Sequence, residues 1–397
     1  MAARRKKKQS RRFRAVVAIL MVIVLIALFV LWKKGYLDDY LPMGDHTHQG
    51  GTDNGDGSGD QTPIVTDGLS IHFPMLGNAN TGDCTLIKTG NTELLIDAGS
   101  KKNSAATIKK YVDTYCTDGI LEYVIATHAH EDHIAGFVGT KSGTSRTGIL
   151  YEYKVGTIIE FEKTNQSLKT EKGNDTLYGE YCQAVEYAQT TWGAKVYSAL
   201  DCVNGENGAQ ATYELADGIT FTVLDQKYYT EESSTENDYS VCTLVTQGVN
   251  HYLFTGDLEE DGEESLVQKN SLPKVKLFKA GHHGSTTSNT SVLMSVIKPE
   301  IVCVCCCCGN MEYAKDPLND FPSQAFVDRV APYTDRIYVT TIVSDNEDGF
   351  EPMNGNIVVS STGGELTVTC SNNMIIFKET EWFKNNRTWP SNGVGGG

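Results

Sequence analysis

The sequence predicts an α/β layered domain carried behind a single membrane-spanning helix. Three observations predict it. Residues 15–32 form an unbroken apolar run, residues 33–68 are polar and rich in Gly and Asp, and from residue 69 short β-type runs alternate with segments of helical spacing.

The apolar run Ala15 to Trp32 contains 18 residues. As a helix it spans about 27 Å, close to the thickness of a hydrocarbon core. A cleavable signal peptide has a shorter core and ends in small residues. Here the run closes on Leu31-Trp32-Lys33-Lys34, an interfacial aromatic and two cations, which points to an uncleaved anchor. Residues 1–34 carry ten basic side chains and no acid. The tail 1–14 is therefore expected in the cytoplasm, and everything after residue 34 outside the membrane. Residues 33–68, with His46 and His48, read as a flexible linker. Asp53, Asp56 and Asp60 lack the closing Glu of a calcium loop.

Beyond the linker, 69–380 is expected to be one catalytic domain. Its strands are read at 70–73, 84–87, 93–97, 123–126, 219–224, 240–246, 252–255, 275–278, 301–308, 337–343 and 357–369, with helices at 104–114, about 178–190 and 291–297. Five of the eleven cysteines, Cys303 and Cys305 to Cys308, crowd one apolar strand. Neighbours on a strand point to opposite faces, so these are read as small buried hydrophobes and not as a disulfide or thiolate site. The last residues, 381–397, are read as a tail with no role.

The formal net charge is −16, but residues 35–397 alone carry 24 basic and 50 acidic side chains, a balance of −26. Wrapping a nucleic-acid backbone needs a basic footprint, so nucleic acid is possible but disfavoured as a partner. Lys274, Lys276 and Lys279 offer at most a local basic groove.

The residues that carry chemistry begin with Thr127-His128-Ala129-His130-Glu131-Asp132-His133, where four metal-ligand types follow an apolar strand within six positions. Imidazoles and a carboxylate in a loop leaving a strand suit zinc, with manganese or iron as alternatives. Phe254-Thr255-Gly256-Asp257 and Gly281-His282-His283-Gly284 each end a strand with further ligand types. Five of the nine histidines lie in two of these motifs. Together they supply what a two-metal site needs: a bridging carboxylate and one more imidazole.

Residues 69–370 resemble the metallo-β-lactamase-fold superfamily, and within it the extracytoplasmic domain of competence proteins of the ComEC/Rec2 type and the phosphorylcholine esterases. The resemblance rests on Leu95-Ile96-Asp97-Ala98-Gly99, the H-x-H-x-D-H motif, Asn237-Asp238-Tyr239-Ser240, Phe254 to Asp257, and Gly281-His282-His283-Gly284-Ser285, in that order. It implies a four-layer αβ/βα sandwich with two divalent metal ions, Zn²⁺ first and Mn²⁺ second, at the edge between two sheets. His128 and His130 would bind one ion, Asp132 and His133 the other. Asp257 would bridge, and His283 would complete the second site in preference to His282. It further implies Asp97 and Thr127 as supports behind the ligands, and Asp238 and Ser285 in the substrate pocket.

The chain departs from the superfamily in three places. No histidine lies between 134 and 250, the loop Leu76 to Asp83 is altered, and a late histidine segment is replaced near 313–322. The expected reaction is hydrolysis of a phosphodiester, on nucleic acid or a phosphorylated surface molecule, with Asp132 or His282 steering the proton. A carboxylic ester, lactone or β-lactam is the alternative substrate, and a catalytically silent binding module is the alternative function.

Overall fold

The computed structural model describes residues 68–313 and 315–395. The expected tail 1–14, membrane span 15–32, and linker up to residue 67 lie outside the described residues. Among the described residues no helix is long and apolar enough to cross a membrane.

In chain order the strands are β1 (Leu69–Phe73), β2 (Thr85–Thr89), β3 (Thr92–Ile96), β4 (Ile120–Ile125), β5 (Lys141–Ser142), β6 (Ser145–Arg146), β7 (Lys154–Glu160), β8 (Lys195–Ser198), β9 (Thr212–Ala216), β10 (Ile219–Leu224), β11 (Cys242–Gln247), β12 (Asn250–Phe254), β13 (Leu277–Lys279), β14 (Ile301–Cys308), β15 (Ile337–Val343), β16 (Phe350–Pro352), β17 (Ile357–Thr362) and β18 (Glu365–Cys370). The helices between and after them are α1 (Ser104–Val112), α2 (Glu131–Val138), α3 (Ile149–Glu152), α4 (Leu177–Tyr187), α5 (Ala199–Asn204), α6 (Glu260–Lys269), α7 (Ser291–Ile297), α8 (Gln324–Val330) and α9 (Glu381–Asn386). Two eight-stranded sheets form, in the orders β18-β17-β1-β2-β3-β4-β7-β8 and β16-β15-β14-β13-β12-β11-β10-β9, and β5-β6 is a separate hairpin.

Strand alternation explains the layering. On β14, Ile301, Cys303 and Cys305 join a core shared with Phe221, Tyr252, Ile71 and Leu86, so this face meets the other sheet. Val302, Val304, Cys306 and Cys308 join Leu266, Leu293, Ile297, Phe326 and Val330, so the opposite face is covered by α6, α7 and α8. Ile108, Val112, Ile134, Phe137, Tyr181 and Ala184 from α1, α2 and α4 pack on the first sheet. The result is a mixed α/β sandwich of sheets. All eleven cysteines are free, and those of β14 are buried on both of its faces, where small apolar groups are needed.

Each sheet has a parallel segment, β3-β4-β7-β8 in one and β12-β13-β14-β15 in the other. Backbone carbonyl ends of parallel strands open onto loops that can gather side chains, and this is where α/β sheets place their sites. The chain leaves β3 into Asp97, β4 into Thr127 and His128, β12 into Asp257, and β13 into His282 and His283. The final segment is not a free tail. Phe383 is buried, and the Arg387 guanidinium pairs with Asp320 and donates to the Pro322 carbonyl at 2.9 Å.

Candidate metal centre

α2 starts inside the histidine motif. His130 is its N-cap, with no side-chain capping bond, and Glu131 and Asp132 fill its first turn. Carboxylates there meet the positive end of the helix dipole. Asp83 N donates to the Asp132 carbonyl (2.9 Å) and Ala98 N to that of His133 (2.8 Å), so two strand-end loops fix the helix start.

Each buried imidazole has one nitrogen occupied and one turned inward. His133 Nδ1 lies 2.8 Å from Asp97 Oδ2, and its Nε2 lies 3.0 Å from Asp257 Oδ2. His283 Nδ1 donates to the Cys305 carbonyl at 2.8 Å. Its Nε2 lies 3.3 Å from Asp257 Oδ2 and 3.4 Å from Asp132 Oδ2. His128 Nδ1 faces the hydroxyls of Thr127 (3.1 Å) and Ser240 (3.4 Å), while its Nε2 comes within 3.0 Å of His130 Nδ1. The His128 and His133 rings are 4.1 Å apart, so the two groups adjoin.

Asp97 ties the first sheet to this cluster. It accepts from Thr127 N, Thr127 Oγ1 and His133 Nδ1, each at 2.8 Å, from a left-handed backbone with φ 58°. His282 and His283 share that strained region, with φ 47° and 54°. Such backbone strain persists only where surroundings impose it. Here Asn289 holds Gly281 through both amide atoms at 2.8 Å, and the Glu263 carboxylate accepts from Asn289 N and Thr290 N at 2.7 Å. Burial pushes Glu263 up to about 7, against the pull of those two N–H bonds.

Electrostatics follow from burial and neighbours. Burial opposes charge on His133 and His283, but Asp257, with Asp97 for the first and Asp83 for the second, outweighs it and lifts both rings well above the ordinary imidazole range. Burial, aided by the nearby His133, pushes His128 well below that range. Burial would raise Asp132, but His283 and His133 win and hold it below the usual carboxylate range.

A divalent cation fits these residues. His133 Nε2, His283 Nε2, Asp132 Oδ2 and Asp257 Oδ2 converge with contacts of 3.0–3.4 Å. Ligand atoms at ~2.0–2.1 Å from one tetrahedral ion stand roughly 3.3 Å apart. His283 Nε2 and Asp257 Oδ1 are also buried without a hydrogen-bond partner, which is costly in the absence of something to bind. The donor set of imidazoles and carboxylates suits zinc or manganese.

The cluster opens onto a cleft of about 810 Å³ whose lining includes His130, Asp132, Asn237, Asp257, His282, Ser285, Tyr313 and Phe321. His283 is fully buried, whereas His282 faces the cleft, with Nδ1 3.0 Å from Thr287 Oγ1 and Nε2 3.9 Å from Asp257 Oδ2. Ser285 lines the cleft, but Asp238 does not. A one-turn helix over Glu236–Tyr239 directs Asn237 to the cleft and sends the Asp238 carboxylate to the Ser233 hydroxyl at 2.6 Å. Two of the three lysines that offered at most a local basic groove are engaged elsewhere. Lys279 is buried against Asp83, and Lys276 pairs with Glu300.

Comparison with known proteins agrees with this geometry. The sequence pattern of the Metallo-beta-lactamase superfamily matches residues 77–151. Residues 77–151, which hold the His128–His133 motif, thus carry the metallo-β-lactamase superfamily pattern. The chain is similar to Recombination protein 2 of Haemophilus influenzae, 31% identical over 87 residues, covering 22% of this chain and 10% of that protein. It is also similar to Competence protein ComA of Neisseria gonorrhoeae, 38% identical over 88 residues, covering 21% and 12%. The matches thus span about a tenth of these curated relatives. Among solved structures, the metallo-β-lactamase fold protein YhfI from Bacillus subtilis aligns over 70% of this chain and 98% of its own, at 11% identity and a TM-score of 0.36. The matched pattern and the ligand cluster fit a metal-dependent hydrolase fold.

Four residues of the site escaped sequence reasoning. Asp83 and Lys279 form a buried pair against the cluster, and Asp83 joins His133, Asp257 and His283 in one compact group of ligand-type atoms. Ser240 Oγ accepts from Asp257 N at 3.0 Å, and Glu236 Oε1 accepts from Ala129 N at 3.2 Å. Ser240 lay within a quoted motif, and Asp83 follows a glycine at a strand start, a weak signal of a turn at a site.

Proposed function

We propose that this chain is a dinuclear metal-dependent phosphodiesterase, held at the outer face of a cell membrane by an N-terminal helix over residues 15–32. The reading rests on one observation above the others: two buried imidazole nitrogens and two carboxylates converge at ligand spacing beside an open cleft, with the His128–His130 pair adjoining. His128, His130, Asp132, His133, Asp257 and His283 would hold the ions. When bound, two divalent cations bring water towards neutral acidity and take up charge on the attacking and leaving oxygens.

The chain's own residues do the rest. Asp97 and the Cys305 carbonyl fix the tautomers of His133 and His283, keeping Nε2 free for a ligand bond. Asp132, held ionised, accepts a hydrogen bond from the incoming nucleophile. Burial lowers the His282 pKa and keeps that ring neutral. With its Nδ1 turned to Thr287 and Glu259, its Nε2 is the proton acceptor on the cleft side.

The rim favours a small or terminal phosphodiester over a long polyanion. Lys101 on the rim is tied to Glu131 (2.9 Å) and Glu312 (3.0 Å), and Lys315, the other cation lining the cleft, is outnumbered by Glu131, Glu312 and Asp316. Long nucleic acid needs unpaired cations at such a rim.

The test uses purified full-length protein in detergent, supplied with Zn²⁺ or Mn²⁺, beside a His130→Ala control. Bis-(p-nitrophenyl) phosphate should turn over, with loss of at least about a hundredfold in the control. Turnover of nitrocefin or a lactone alone would move the substrate to the carboxylic class. A chain that takes up no metal and turns over nothing would be a binding module.

A further inference from the structure

Four buried carboxylates surround the ligand cluster: Asp83, Asp97, Asp132 and Asp257, none more than 7% exposed. One lysine is buried among them. Lys279, the last residue of β13, is 3% exposed, pairs with Asp83 Oδ2, and has its ammonium 3.9 Å from Asp257 Oδ1. An ammonium taken out of water needs a reason, because its desolvation is repaid only by close opposite charge. The hydrolytic step described above does not use it.

Its placement has two consequences. First, it occupies Asp83. That carboxylate stands among ligand-type atoms and touches His283 Nδ1 at 3.2 Å, but its other oxygen is held by the ammonium and the His283 proton goes to the Cys305 carbonyl. With Oδ2 engaged, only Oδ1 stays open, and it faces His283 Nδ1, not the Nε2 that turns to the ligand cluster. Second, it sets the charge of the core. Four carboxylates and one ammonium sum to −3, and two divalent cations bring +4. The loaded core then carries +1, the sign that draws an anionic substrate into a domain that is otherwise strongly acidic. Without the lysine the four carboxylates sum to −4 and lose the one permanent cation buried among them.

We infer that Lys279 is a built-in counter-cation of the metal centre: it lets the carboxylate cage fold before metal arrives and holds Asp83 outside the coordination set. This rests on the hydrolase reading above.

The experiment compares full-length wild type, Lys279→Met, Asp83→Asn and the double variant. It reads metal equivalents per chain after zinc loading, and melting temperature with and without metal. Metal-free Lys279→Met should melt on the order of 5–10 °C below wild type, since it strands a buried carboxylate. Zinc should close most of that gap, and the double variant should recover most of it without metal. Asp83→Asn should still hold two equivalents. Loss of one equivalent in Asp83→Asn would make Asp83 a ligand and overturn the inference. So would an unshifted metal-free Lys279→Met beside a wild type that loads normally. A wild type that binds no metal would instead overturn the hydrolase reading, and this inference with it.

Discussion

Asp97→Asn tests the centre at a single atom. Asn tolerates the left-handed backbone that position 97 adopts, with φ 58°, so the substitution adds no new backbone strain. Its side-chain oxygen can keep the bond from Thr127 N. Its NH₂ then stands where Oδ2 was, 2.8 Å from both Thr127 Oγ1 and His133 Nδ1. The threonine hydroxyl can rotate, but the imidazole cannot satisfy a facing donor while it keeps a proton on Nδ1. The proton must move to Nε2, the nitrogen 3.0 Å from Asp257 Oδ2 that faces the ligand cluster. Loss of such a support behind a ligand weakens metal binding about 10- to 100-fold, or about 1.4–2.7 kcal/mol. If the donor stays unmatched in the metal-free protein, stability falls by a further ~1–3 kcal/mol. Chelator competition on purified protein reads the first effect, and urea unfolding with metal removed reads the second. Asp97→Asn with wild-type zinc affinity at both sites would refute the claim that Asp97 sets the His133 tautomer.

Two further outcomes follow from geometry away from the ligands. His72 is buried, with its nitrogens on Tyr111 Oη (3.0 Å) and Ser70 Oγ (2.8 Å), and burial, helped by Lys88, depresses its pKa from 6.5 to about 4. Its neutral form therefore contributes stability that is full above pH 6.5 and lost as pH falls through 4. That term is about 3 kcal/mol, so urea unfolding of His72→Gln should lack that much of the wild-type acid sensitivity, and parallel pH curves would contradict it. Gly136→Ala should destabilise by about 1–3 kcal/mol despite its better helix propensity, because the new Cβ would lie 2.3 Å from the Ala98 carbonyl oxygen. Since α2 carries Asp132 and His133, zinc content should fall alongside the melting temperature, and a more stable protein would refute the contact.

The legible parts of this centre are those whose chemistry is contiguous in the chain. His128 to His133 could be read because the loop and first helical turn lie within six residues, and a cluster of that density has few structural uses. Asp257 and the His282–His283 pair were readable as strand-end residues once the first motif implied a partner for them. The boundaries of β10, β14, β15 and α7 came out at residue level because each is a mainly apolar or β-branched run set off by polar and turn residues. Residues 357–369 read as one strand, but Gly363 and Gly364, both with positive φ, fold them into the β17–β18 hairpin.

Other residues were hidden because their meaning depends on distant partners. Lys279 reads as a surface cation beside Lys276, since a three-residue strand gives too short an alternation to reveal that both faces of β13 are covered. Asp83 lies in a loop apart from the histidine motifs, and its partner lies 196 positions away. Asn237 and Asp238 are adjacent, and only the phase of a one-turn helix decides which of them reaches the cleft. Arg387 looks like part of a solvated terminus until the carbonyls of the 317–322 loop are seen to converge on it. These cases share one physical origin. Ligand identity is local, set by side-chain chemistry at a strand end. The balance of charge around the ligands is a property of the fold, because it is decided by which two sheets the chain brings edge to edge. The centre's charge is therefore the quantity on which sequence says least, and Lys279 is the residue through which it can be measured.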